Sequence, residues 1–263
     1  MRPVNEKYVI IKTLAESPRG STVKLAHLSN DINKTVIIKC FEKRNLSFFI
    51  KVYEKLYLKE LVVLQVVKGQ DHFVQLIDFF ETSTHACVVI EDLSQEYEDL
   101  YEMNLLLKRD FSRSTIKRII KQTVECLLKL ASMKIFYADV KLENIMLKRD
   151  FSSIKLIDFG DVQLGSSICN GLLGTPGYFS PEIINGKSFD ILKSVTFSVG
   201  CLGYILVYKK YPFKNEAELT FLSCIKRCEW EEFNEFLKFS LMKNLEIRIS
   251  LEKLLELPFF ADC

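Results

Sequence analysis

The sequence predicts an α+β fold in two lobes, a small β-rich lobe over residues 1–93 and a larger helical lobe over residues 94–263. Three observations predict it. Short apolar, β-branched segments divided by turn compositions fill the front of the chain. After Asp92 the apolar residues recur at helical spacing instead. A polar junction, Glu91-Asp92-Leu93, lies where the character changes, and a front of strands followed by a run of helices reads as α+β.

Taken in order, residues 8–14 and 22–26 read as strands, separated by the turn composition Ser17-Pro18-Arg19-Gly20-Ser21. A polar turn then leads to a strand over residues 35–39, Thr-Val-Ile-Ile-Lys. Phe49, Val52, Leu56, Leu61 and Leu64 fall at helical spacing, so residues 46–67 read as one long helix. Strands are expected at residues 73–80 and 86–91, then helices at 98–107 and 114–131, with Ser114 as N-cap of the second. Short strands surround residues 137–160, and everything beyond Pro181 reads as helix. A ligand pocket is expected between the lobes.

Composition narrows the function classes. The chain has 263 residues, 48% hydrophobic and 27% charged, and 36 basic residues balance 34 acidic ones. That balance argues against nucleic acid or an anionic membrane as a partner. Eight scattered cysteines, without a C-x-x-C pair, predict reduced thiols and a cytoplasmic or nuclear location. The N-terminus carries charges through its apolar run and does not read as a signal peptide. Apolar runs such as residues 198–208 are short of a membrane span, so a soluble protein is expected.

The chemistry is concentrated in Tyr137-Ala138-Asp139-Val140-Lys141-Leu142-Glu143-Asn144 and, shortly after, Ile157-Asp158-Phe159-Gly160. Mg²⁺ takes hard oxygen ligands together with substrate phosphates, and Asn144 and Asp158 can supply them. Asp139 can orient an incoming hydroxyl and accept its proton, while Lys141 can neutralise a travelling phosphoryl group. This order, Asp-x-Lys-x-x-Asn and then Asp-Phe-Gly, resembles the catalytic and metal-binding loops of the eukaryotic protein kinase family. The resemblance runs from about Tyr8 to Phe260, and its style is nearest the calmodulin-dependent and cyclic-AMP-dependent groups.

The resemblance implies a bilobal kinase fold and a serine/threonine protein kinase using ATP and Mg²⁺. It implies Asp139, Lys141 and Thr175 as catalytic residues, Asn144 and Asp158 as metal ligands, and Lys39 paired with Glu60 to position ATP. The phosphate-covering loop falls on Leu14, Ala15, Glu16, Ser17, Pro18, Arg19, Gly20, Ser21, Thr22 and Val23. Glu91, Leu93 and Met146 complete the nucleotide site. Gly174-Thr175-Pro176-Gly177-Tyr178-Phe179-Ser180-Pro181-Glu182 resembles the segment that receives a peptide, and Arg248 matches the arginine that pairs with its glutamate, here Glu182. Lys141 and Thr175 point to a Ser/Thr acceptor on a protein. Glu143, with Glu96, Glu98, Asp99 and Glu102, could read basic residues upstream of the acceptor, or these acids could form a solvated helix face.

Four positions depart from the family pattern. The glycine-rich loop keeps only Gly20, and Pro18 removes a backbone donor from it. Ile37 stands where alanine is usual above the adenine, and Val195 where an aspartate usually tethers the catalytic loop. Ala138 replaces the arginine that grips a phosphorylated activation loop, and Gly171-Leu172-Leu173 offers no hydroxyl, so a non-RD kinase without the usual phosphoswitch is expected. The eroded loop, Ile37 and Val195 leave a pseudokinase, a binding or scaffolding module, as the alternative. No regulatory partner is legible.

Overall fold

The computed structural model describes residues 3–186, 188–213 and 228–261. It divides into two compact units: residues 1–95 with 158–160, and residues 96–157 with 161–263. Asp158-Phe159-Gly160 therefore belongs with the first unit, although its neighbours in sequence belong to the second.

The first unit is built on an antiparallel six-stranded sheet of β1 (Pro3–Asn5), β2 (Tyr8–Ser17), β3 (Ser21–Leu28), β4 (Asp31–Glu42), β8 (His85–Glu91) and β7 (Leu76–Glu81), in that spatial order. Alternation along β4 sends Val36, Ile38 and Cys40 into a core with Tyr8, Ala26, Cys87 and Val89. Ile37 and Lys39 therefore point to the opposite face.

The long helix expected over residues 46–67 does not form. Residues 49–58 make a hairpin, β5 (Phe49–Val52) against β6 (Lys55–Leu58), so that apart from a 3-10 turn at Leu46–Phe48 only α1 (Lys59–Val66) is helical. The stretch Phe-Phe-Ile-Lys-Val-Tyr is dense in aromatic and β-branched residues, whose strand preference outweighs the incidental helical spacing. Tyr53 and Glu54 close the hairpin at φ 45° and 65°, the positive values a two-residue turn requires. The strand expected from residue 73 begins at Leu76.

In the second unit, residues 98–107 are not one helix. They contribute β9 (Tyr97–Asp99), which pairs with β11 (Ile145–Lys148), and a π-helical turn over Glu102–Leu106. The next helix, α2 (Arg113–Ser132), is capped by Ser112 rather than Ser114, since the Ser112 hydroxyl accepts from the backbone of Thr115. There follow β10 (Ile135–Tyr137), β12 (Ile154–Leu156) paired with β11, and β13 (Val162–Leu164) paired with β10. Next come β14 (Ile168–Cys169), α3 (Pro181–Ile184), β15 (Phe189–Asp190), α4 (Ile191–Tyr208), α5 (Glu231–Ser240) and α6 (Leu251–Leu254).

Beyond Pro181 the described residues are therefore not all helix: β15 and the irregular segments 209–213 and 241–250 interrupt it, and the part of that expectation over residues 214–227 lies outside the described residues. Residues 191–208 form one helix that is long and apolar enough to cross a membrane, against the expectation from shorter runs. Most of that helix is core, since 78% of its residues are buried in the structure.

Candidate active site

The first unit carries a cluster of charge around Lys39. In register, Lys39 lies opposite Val23 on β3 and Val88 on β8, so Val23 and Lys39 share the face away from the core. Ile37 sits on that face too, opposite Leu25 and Ile90. The Lys39 ammonium donates to Glu60 Oε1 at 2.8 Å and lies 3.0 Å from Asp158 Oδ1. The other Glu60 oxygen accepts the Phe159 N–H at 2.7 Å, so one helix residue anchors both the lysine and the Asp-Phe-Gly turn.

Burial alone would pull the Lys39 pKa down, but the charges of Asp158 and then Glu60 overcome it and hold the ammonium above the usual lysine range. Burial pushes Glu60 upward, against the pull of Lys39. Asp158 adopts φ 66°, a left-handed conformation uncommon for aspartate, with its Oδ1 accepting from Gly160 N at 3.2 Å. The Phe159 ring packs 6.2 Å from that of Phe73.

The expected phosphate loop, Leu14 to Val23, is almost entirely strand. Ala15 pairs with Val23, Glu16 with Thr22 and Ser17 with Ser21, leaving only Pro18, Arg19 and Gly20 to turn the chain. Gly20 N donates to Ser17 O at 2.9 Å, and Gly20 sits at φ 89°. Proline at the second position and glycine in the left-handed region suit a tight turn, so Pro18 serves the hairpin.

The tip is also tied down. Asn45 donates to Arg19 O at 2.7 Å and Glu42 N to Gly20 O at 3.0 Å. A Cβ at Gly20 would come within 2.6 Å of the Glu42 carboxylate. Glu91 accepts Gln75 N through its side chain at 2.8 Å, which gives that carboxylate a structural partner, and Leu93 is buried.

The second unit carries a second polar cluster, built on the loop after β10. Asp139 Oδ1 accepts the Thr175 hydroxyl at 2.5 Å, and Asp139 Oδ2 lies 2.7 Å from the Lys141 ammonium and accepts from Asn144 Nδ2 at 3.0 Å. Lys141 in turn donates to Thr175 Oγ1 at 2.9 Å. Asn144 Nδ2 also reaches the Asp139 carbonyl at 2.8 Å. With its nitrogen turned inward, Asn144 keeps its amide oxygen as a hard ligand.

Gly174 has φ 103°, and a Cβ there would sit 3.0 Å from the Ala138 carbonyl, so the segment before Thr175 meets the loop backbone at its closest approach. Met146 is half-buried on β11, between Asp99 and Lys155. Glu143 is half-buried, its Oε2 has no hydrogen-bond partner among the described residues, and burial raises its carboxyl.

One tether escaped the sequence reading. Val195 is buried and apolar, and the loop backbone is held instead by Tyr178, whose hydroxyl accepts Leu142 N at 3.2 Å. Ser198 fixes that tyrosine through its carbonyl at 2.9 Å. A tyrosine shortly before a Pro-Glu pair carries no local signal for this contact. At the far end of the segment Glu182 and Arg248 form the expected buried pair, at 2.5 and 2.9 Å.

The protein kinase domain family matches residues 18–260. The chain belongs to that family. Its curated relatives come from several kinase groups. A dual specificity tyrosine-phosphorylation-regulated kinase 4 of Homo sapiens is 29% identical over 83% of this chain and 41% of its own length. A serine/threonine-protein kinase PLK4 of Drosophila grimshawi is 32% identical over 72% of the chain and 26% of its own length. A calcium/calmodulin-dependent protein kinase type 1 of Macrobrachium nipponense is 26% identical over 99% and 77%. The chain thus spans less than half of the first two relatives. Kinases of this family use ATP with a divalent metal ion and act on protein substrates.

Proposed function

We propose that the chain transfers the γ-phosphoryl group of ATP to a serine or threonine hydroxyl of a protein. The observation that carries this reading is the Asp139–Lys141–Thr175 triangle. A carboxylate with one oxygen on a hydroxyl and the other beside an ammonium is arranged to receive a substrate hydroxyl and its proton. Lys141 would stay beside the group in transfer, and Lys39, fixed by Glu60, would hold the ATP phosphates.

Asn144 and Asp158 offer the oxygen donors that suit Mg²⁺, which when bound with ATP neutralises phosphate charge. The unpartnered Glu143 oxygen favours an acceptor with basic residues upstream. Among the described residues the cysteines are free thiols, which fits a reducing cytoplasmic or nuclear compartment. The near-even charge gives no support to nucleic acid or membrane as partner. Ala138 cannot grip a phosphate, so activity should not require activation-loop phosphorylation.

The test is ³²P transfer from Mg-ATP to a Ser/Thr peptide array by phosphatase-treated protein made in bacteria. Wild type should label peptides, with basic residues favoured upstream, while Asp139→Asn and Asp158→Ala should not. Wild-type rates in both variants would sink the assignment.

A further inference from the structure

The segment that carries Thr175 lacks the usual means of being held. Ala138 supplies no cation, and residues 170–173 supply no phosphorylatable hydroxyl. It is nevertheless anchored midway. Ile168 and Cys169 of β14 pair with Asp190 and Phe189 of β15, immediately before α4. The Ser167 hydroxyl donates to Asp190 Oδ2 at 2.8 Å, and Ile191 N donates to Ser167 O at 2.8 Å.

Asp190 uses its two oxygens for separate tasks. Oδ1 caps α4 by accepting Leu192 N at 2.8 Å and Lys193 N at 3.3 Å, leaving Oδ2 for Ser167. The base of the clamp is itself tied, since Arg248 Nη1 donates to Lys193 O in the first turn of α4 at 2.9 Å.

We propose that Ser167 and Asp190 are positioning residues that fasten the peptide-receiving segment to the start of α4, in place of a phosphate–arginine contact. The clamp has the opposite sign to the usual grip. A carboxylate faces the hydroxyl, so negative charge at Ser167 would remove the donor and add repulsion, opening the segment rather than ordering it. This inference rests on the kinase reading for its functional consequence, but the clamp itself does not.

The test compares wild type with Ser167→Ala, Ser167→Thr and Ser167→Glu in the full chain, all phosphatase-treated. Ser167→Ala spares the α4 cap, because Asp190 stays in place. The readouts are KM for histone H1 as acceptor, KM for ATP, and hydrogen exchange of residues 166–173. Ser167→Ala should raise the acceptor KM at least threefold with the KM for ATP unchanged within twofold, and should speed exchange in the segment. Ser167→Thr should restore both, and Ser167→Glu should lower kcat/KM for the acceptor at least tenfold. Unchanged acceptor KM and exchange in Ser167→Ala, or a more active Ser167→Glu, would overturn the clamp. If wild type phosphorylates nothing, the kinase reading fails, and exchange in Ser167→Ala still decides the clamp.

Discussion

The two ion-pair systems differ in how completely their partners are enclosed. In the second unit all five N–H groups of Arg248 are engaged, by Glu182 twice and by the carbonyls of Met242, Lys193 and Lys243. In the first unit the three N–H groups of Lys39 meet two carboxylates, and the Asp158 side chain is 47% exposed. A saturated pair is fastening. A pair whose aspartate is half-exposed stays accessible to phosphate and metal, as the proposed function requires.

Breaking the saturated pair should have the largest effect on stability. Arg248→Ala strands Glu182 in the interior and should cost about 3–5 kcal/mol in urea unfolding. Arg248→Lys should recover little, because an ammonium cannot replace the bidentate fork. A loss below about 1 kcal/mol would mean that the pair is not fastening the fold.

Glu60→Gln should reverse the balance between stability and activity. Lys39 keeps Asp158 as a partner, so the stability cost should be nearer the 1.5–3 kcal/mol of a charged hydrogen bond. The kcat/KM for ATP should fall at least tenfold, about 1.4 kcal/mol of barrier. A large loss of stability with normal activity would make the two pairs alike.

A pH series sharpens the contrast. The folded pKa of Lys39 lies above its unfolded value of about 10.4. Its contribution is therefore complete below that pH and lost only as pH climbs through the raised folded value. The stability difference between wild type and Lys39→Met, measured by urea unfolding, should not shrink from pH 7 to 9. A steady decline over that window would show that the ammonium is not held by its carboxylates.

The smallest effect is expected at Glu143. Burial raises its folded pKa above the unfolded value, so the cost of ionising it appears as pH rises through the carboxylate range and persists at pH 7. Glu143→Gln should raise the melting temperature by about 1–2 °C at pH 7, with no gain at pH 4. It should also weaken labelling of peptides with upstream basic residues. A melting temperature that falls at pH 7 would show that the carboxylate has a stabilising partner.

Legibility followed distance along the chain. The loop after β10 announced itself because Asp139, Lys141 and Asn144 lie within six residues of one another, and only Thr175 had to be brought from further away. Residues 49–58 carry a helical spacing and yet form a hairpin, because their apolar residues satisfy both periods and strand propensity decides between them. Ser112 lost to Ser114 for a similar reason, as both hydroxyls precede the same helix and only geometry shows which meets Thr115 N. Pro18 reads as damage to a phosphate loop in sequence, yet in the fold it is the residue its turn prefers.

The sequence by itself determined the order of strands and helices in outline, the family, and which side chains are chemically competent, because those depend on residue type and near-neighbour spacing. Tertiary structure alone decided the rest. It joined Glu60 to both Lys39 and Phe159, 21 and 99 residues away, and Tyr178 to the backbone of the loop after β10. It also gave Asp190 its second task. These contacts depend on distant backbone groups meeting at about 3 Å. No local pattern encodes such a meeting, since a buried polar atom takes whichever partner the packed fold brings within reach.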